Sequence, residues 1–323
     1  VADDFKRWDW QTDEVETILT LDDFTNLLTH DLEFPDLYRP AVLGMSADGT
    51  QFVFGMSEGD VFVYNLPEDR LELLRSPEES FWLTEVAISA DGRTIAAGFS
   101  NDDLLIWELN EDTWEATINT SIETGLGFSG LAFNEDASVL VIGGDTGSFV
   151  WRWEWKTGQP PDTLILDGFN PIWGVDVSAD GELVAFGSSN HEVYLWDGYT
   201  DTYFTGHTAT VYAVMISPDE QYLISGSFDE RVIIWNIENG AALYVIPGAK
   251  DAISALDVRD GLIAVGSLDG LVRILRLRNG GITAEYELTD FPTLSADGQY
   301  FILENELLNW STDEVIQLDS PYN

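Results

Sequence analysis

GHTATVYAVMISPDEQYLISGSFDERVIIWN, residues 206 to 236, reads as three strands joined by two tight turns. An apolar strand ends at Ser217-Pro218-Asp219, a second runs to Gly226-Ser227, and a third ends at Trp235-Asn236. The first turn recurs along the chain as Ser46-Ala-Asp-Gly49, Ser89-Ala-Asp-Gly92, Asn134-Glu-Asp-Ala137, Ser178-Ala-Asp-Gly181, Ser217-Pro-Asp-Glu220, a shortened Arg259-Asp-Gly261 and Ser295-Ala-Asp-Gly298. Seven turns imply seven repeats, and from Ser46 to Ser295 their mean spacing is about 41 residues. The turn chemistry is local: Gly adopts positive φ cheaply, and Asp bonds its own backbone. These aspartates are therefore read as turn formers and not as catalytic acids.

Each turn is followed by an apolar run closed by glycine, such as Ile95-Ala-Ala-Gly98, Leu140-Val-Ile-Gly143 and Leu223-Ile-Ser-Gly226. Such runs suit strands covered on both faces. The next strand tends to end on an aromatic, as in Leu104-Leu-Ile-Trp107, Val193-Tyr-Leu-Trp196 and Val232-Ile-Ile-Trp235. A four-stranded sheet cannot bury both of its faces alone, whereas radial stacking of seven does so. The expected fold is all-β, a seven-bladed β-propeller of four-stranded antiparallel blades over residues 37–323. Residues 1–36 are expected to add a strand segment and an irregular connection, with Val15 to Leu19 joining or flanking the eroded seventh blade at ring closure.

The unit resembles the WD40 repeat. In that family a buried network links a His before the first strand, a Ser or Thr in the second, an Asp in the following turn and the Trp ending the third. The resemblance assigns these roles to His207, Ser225, Asp229 and Trp235. A Ser-His-Asp set also invites a hydrolase reading, but no nucleophile elbow accompanies it. The other repeats depart from the pattern, with Glu58, Asn101, Thr146, Asn190 and Asp269 at the Asp position and Tyr64 and Leu275 at two Trp positions.

Charge sets the environment. The chain has 58 Asp and Glu against 14 Lys and Arg, a net of −44, and only Lys6, Lys156 and Lys250 are lysines. Like charges at this density oppose compaction in dilute buffer, and molar salt screens them over about 3 Å. A halophile-adapted surface is the expected reading, in a high-salt cytosol or on an extracellular or virion surface. Nucleic acid is an unexpected partner, because its affinity depends on Lys and Arg neutralising phosphates. No run of about 18 apolar residues is present, so membrane insertion is not expected. There is no cysteine, and His30, His191 and His207 show no metal-ligand spacing, so no metal or cofactor is assigned.

Aligning the repeats on the Ser-x-Asp turn places Tyr212 level with Ala41, Thr84, Ser129, Trp173, Ser254 and Asp290, and residue 210 level with Arg39 and Trp82. Arg39, Trp82, Trp173, Tyr212 and Asp290 are the candidate partner-binding face, since large aromatics on a polar rim are typical anchors. Arg259, Arg273, Arg276 and Arg278 form a candidate basic patch that docks an acidic partner or neutralises nearby carboxylates. The expectation is a non-enzymatic platform for protein partners or a structural component of a larger assembly. The alternative is an adhesion module that binds glycan or a host envelope protein; a propeller hydrolase or lyase would instead need carboxylates converging in the channel.

Overall fold

The computed structural model describes residues 5–9, 14–19, 40–46, 50–56, 59–65, 67–68, 70–74, 82–110, 116–123, 127–144, 148–168, 170–259, 261–287, 293–294, 300–303, 306–309 and 314–317. Seven four-stranded antiparallel sheets follow one another in chain order, within residues 40–74, 83–123, 128–165, 172–205, 211–247, 253–287 and 293–317. In each, four consecutive strands lie side by side in sequence order, as hairpin connections of a few residues require. The first strands of the first six sheets stand each beside the next. The only helical element among the described residues is the 3-10 turn Trp155–Thr157.

The core lies between sheets. Five apolar clusters fill the five junctions from the first sheet to the sixth, with Ile95 and Trp107 in the first, Val184 and Phe186 in the third, and Ile233 and Trp235 in the fourth. The second strands of the second, third and fourth sheets are buried along their whole length, which accounts for their continuous apolar sequence. A second strand's closing glycine lets the next sheet approach: a Cβ on Gly226 would stand 2.4 Å from Ile253 Cγ2.

The repeated turn behaves as its composition predicts. Ser178 Oγ donates to Asp180 at 2.7 Å, Asp180 accepts from Glu182 N at 2.9 Å, and Ser178 Oγ accepts from Leu183 N at 2.9 Å. Ser89 with Asp91 and Ser217 with Asp219 repeat these bonds. The fourth turn residue is left-handed each time, at φ 73° for Gly92 and 77° for Gly181, but also 54° for Glu220 and 53° for Ala137. Two turns thus hold this conformation without glycine.

The expectation that Val15 to Leu19 joins the seventh blade needs a correction, while the two strands read on either side of the turn near Gln11 to Glu14 are present. Glu14–Leu19 pairs with Phe5–Asp9 as a two-stranded hairpin, and the seventh sheet takes all four of its strands from residues 293–317. Val15 to Leu19 is therefore not one of the seventh sheet's strands; residues 293–317 still carry four short strands despite the eroded turn between Leu303 and Glu306. The expected irregular connection, residues 21–36, lies outside the described residues.

Candidate functional site on the upper rim

One face, called the upper face here, carries the links entering each first strand and the tight turns between second and third strands. The network read from the sequence lies under it, in the fifth sheet. His207 Nε2 lies 2.8 Å from Ser225 Oγ, and Nδ1 lies 3.0 Å from an Asp229 oxygen. Trp235 Nε1 donates to Ser225 Oγ at 2.9 Å, and Thr208 N donates to Asp229 at 2.8 Å. With Asp229 fixing the proton on Nδ1, Ser225 donates to Nε2 and accepts from Trp235, so each group has a partner. Burial is the main cause that lowers the His207 pKa, which keeps the imidazole neutral. Burial also opposes ionisation of Asp229, but bonds from Arg231, Thr208 N and His207 outweigh it and hold that carboxyl below its usual range.

Four groups expected together are together, yet Ser225 has no exposed surface and its oxygen is already occupied by an indole donor. The arrangement resembles a hydrolytic triad in spacing and differs from one in access. No carbonyl carbon can reach Ser225 Oγ through a side chain packed on all sides.

The sixth sheet holds the same carboxylate position with an arginine and no histidine, whereas in the fifth Arg231 shares Asp229 with His207. Lys250 N donates to Asp269 at 2.8 Å, as Thr208 N does to Asp229, but Arg273 Nη2 binds Asp269 at 2.9 Å and Gly248 O at 3.1 Å. Burial raises the Asp269 pKa and these donors lower it further, to about 2. Arg273 is buried and so leaves the candidate basic patch. Its charge closes an internal ion pair, because no His precedes this blade and a leucine replaces the tryptophan at position 275. Arg276 and Arg278 are exposed, and the side chain of Arg259 lies outside the described residues.

The rim itself is built by a repeated irregularity. Between Leu83 and Glu85, Phe128 and Gly130, Ile172 and Gly174, Val211 and Ala213, and Ile253 and Ala255, the first strand carries a β-bulge. Thr84, Ser129, Trp173, Tyr212 and Ser254 are the extra residues, and Ala41 holds the same place in the first sheet. A bulge re-aims its side chain away from the ladder. The small hydroxyls turn back: Thr84 Oγ1 donates to Gly98 O at 2.9 Å, and Ser129 Oγ to Gly143 O at 3.2 Å. Trp173 and Tyr212 have no such return and pack against each other, their rings tilted by 42° with centroids 5.1 Å apart.

Phe228 extends that row, its centroid 5.5 Å from Tyr212 and its side chain 51% exposed within the turn above the network. Leu268 occupies the same turn position in the sixth sheet and is also exposed. Sequence reading missed both; the signal was a large apolar residue between Gly-Ser and Asp, where the turn itself requires none. Trp82 is 71% exposed on the second sheet, two sheets from Trp173. Arg39 and Asp290 lie outside the described residues.

Three carboxylates on first strands were also missed. Asp176 Oδ2 accepts from Ile216 N at 2.6 Å, tying the fourth sheet to the fifth, while burial drives its pKa up to about 7 with a further push from Asp257. Glu85 is likewise raised to about 7, by burial. Both remain partly accessible although protein surrounds them, as befits side chains at the inner edge of the sheets. Among the described residues no group of three or more His, Asp or Glu is arranged to hold a metal ion.

The repeat family described as WD domain, G-beta repeat matches residues 161–197 and 199–236, from the outer strand of the third sheet through the fourth sheet to the third strand of the fifth. Residues 161–236 therefore carry WD40 repeats, in a propeller of the WD40 type. Its similarity to curated WD40-repeat relatives is local. The COMPASS component SWD3 of Saccharomyces cerevisiae is 31% identical over 124 residues, 36% of this chain and 39% of that protein. Periodic tryptophan protein 2 of Arabidopsis thaliana is 31% identical over 138 residues, 41% of this chain and 15% of that protein. The chain thus spans less than half the length of either relative. A chain in the crystal structure of a mitotic checkpoint complex superposes with a TM-score of 0.70 over 86% of this propeller and 87% of its own length, at 20% identity, a likeness of fold.

Proposed function

We propose that this WD40-repeat propeller is a non-enzymatic platform that binds a protein partner on its upper rim, within a larger assembly and in concentrated salt. The row Trp173, Tyr212 and Phe228 carries the reading. Tyr212 touches both Trp173 and Phe228, and the three rings, placed on two bulges and a turn, supply rigid anchor area at small entropic cost. Relatives named as components of COMPASS and of a checkpoint complex support an assembly role. With a net charge of −44, long-range steering is useful only at low salt, so packing at this rim decides affinity where salt is high.

Capture from the native source extract in molar KCl tests the face. A Trp173→Ala/Tyr212→Ala/Phe228→Ala variant is expected to lose a defined protein retained by the wild type, with affinity down at least about 100-fold, since each anchor is worth roughly 1–3 kcal/mol. Unchanged capture by a folded variant would place the interface elsewhere. Capture of glycan in place of protein would favour the adhesion alternative. Urea unfolding tests the environment: the midpoint is expected to rise steeply between dilute and molar KCl, and equal midpoints would reject the high-salt adaptation.

A further inference from the structure

The outer strand of each sheet is an edge whose alternate backbone groups face away from the sheet. Six of the seven carry at least one charged residue: Arg70 and Glu72, Glu123, Asp162, Asp201, Glu285 and Glu287, and Glu314. Charges on an edge are the usual guard against addition of another strand. The fifth, Ala242–Pro247, carries none, and it sits in an eleven-residue neutral stretch from Asn239 to Ala249 within a chain of 58 acidic residues. Leu243, Tyr244 and Val245 are 41%, 36% and 48% exposed, while Ile246 packs onto the cluster shared with the sixth sheet. Pro247, opposite Arg231, ends the run with no N–H to offer.

We propose that this edge joins two copies of the chain, the Ala242–Pro247 strands pairing antiparallel about a twofold axis. A strand is its own antiparallel partner, so a twofold closes the contact without leaving a further edge. Charge selects this occupant and this site. On a surface this acidic, a twofold through the first outer strand sets the central Glu72 against its own copy, and one through any other charged strand brings acidic residues into the contact, whereas here only neutral residues meet. The ends are complementary as well: Glu238 precedes the strand, and Lys250, one of three lysines in the chain, follows it. Antiparallel pairing brings the acidic end of one strand toward the basic end of the other. The contact is separate from the rim, which leaves both upper faces open.

Sedimentation equilibrium of the full chain in molar KCl, over a range of concentrations, tests this. The wild type is expected to reach twice the chain mass. Val245→Lys is expected to raise the dimer dissociation constant at least about tenfold, because it sets two like charges side by side at the axis. Leu243→Lys provides the same test should Val245→Lys fail to fold as judged by circular dichroism. Tyr203→Lys, at an exposed site on the fourth outer strand, is expected to change nothing. A wild type that stays monomeric at every concentration, a dimer indifferent to both strand substitutions, or equal weakening by Tyr203→Lys would overturn the proposal, as would a different protein occupying the strand in place of a second copy.

Discussion

Ser225→Ala is expected to destabilise the propeller by about 2–4 kcal/mol, read as a shift in the urea midpoint in molar KCl at unchanged slope. The hydroxyl accepts from Trp235 Nε1 and donates to His207 Nε2, so its removal orphans one donor and one acceptor where neither can reach water. Each orphan costs roughly 1–3 kcal/mol, and the methyl that remains adds no compensating contact. The same substitution separates the two meanings of a Ser-His-Asp set. A catalytic serine is held in place for chemistry, and its loss leaves stability unchanged or improved while activity vanishes. A brace shows the opposite: stability falls, and a serine-directed fluorophosphonate fails to label the wild type. An unchanged midpoint would reject the bracing role of His207, Ser225, Asp229 and Trp235.

Turn chemistry and strand order were legible in the sequence because both are set by short-range physics. Ser178-Ala-Asp-Gly181 closes on its own atoms, and nothing distant is needed to predict it. The rim was half legible. Alignment placed Trp173 and Tyr212 at one level, but the bulge that turns them outward depends on a mismatch between two strands and leaves no mark in either strand alone. Of the two roles expected for Arg273, neutralising a nearby carboxylate is the one it takes, and the choice was open in the sequence for a related reason. A basic residue two positions into a strand reads as surface until the carboxylate beneath it is located, and that carboxylate, Asp269, already stood at the Asp position of the repeat. The fifth sheet thus holds this aspartate with a neutral histidine and Arg231, and the sixth with Arg273 and no histidine. What the blade requires is a donor set for this carboxylate, and histidine is one of two solutions found in this chain.

The first-strand carboxylates make the second large prediction, and their sign runs opposite to that of a paired surface acid. Asp176 moves from an ordinary value of 3.8 up to about 7 in the folded protein, with burial as the leading cause. The native state therefore binds a proton more tightly than the unfolded chain between about pH 4 and pH 7, and stability falls as pH rises through that window. A shift of this size corresponds to about 4 kcal/mol, present as a penalty above pH 7 and absent below pH 4. Asp176→Asn keeps an oxygen for the Ile216 N–H and removes the charge. It is expected to leave the melting temperature unchanged near pH 4 and to raise it by several degrees at pH 8, flattening the curve between. All 58 acidic residues contribute to a general loss of stability as they ionise, so the informative quantity is the difference between variant and wild type at fixed salt. A constant offset at every pH would show that Asp176 is not held in its protonated form. An offset confined to the upper half of the range would make it the cost of a charge kept where two sheets meet, which a partner's cation entering the inner edge would relieve.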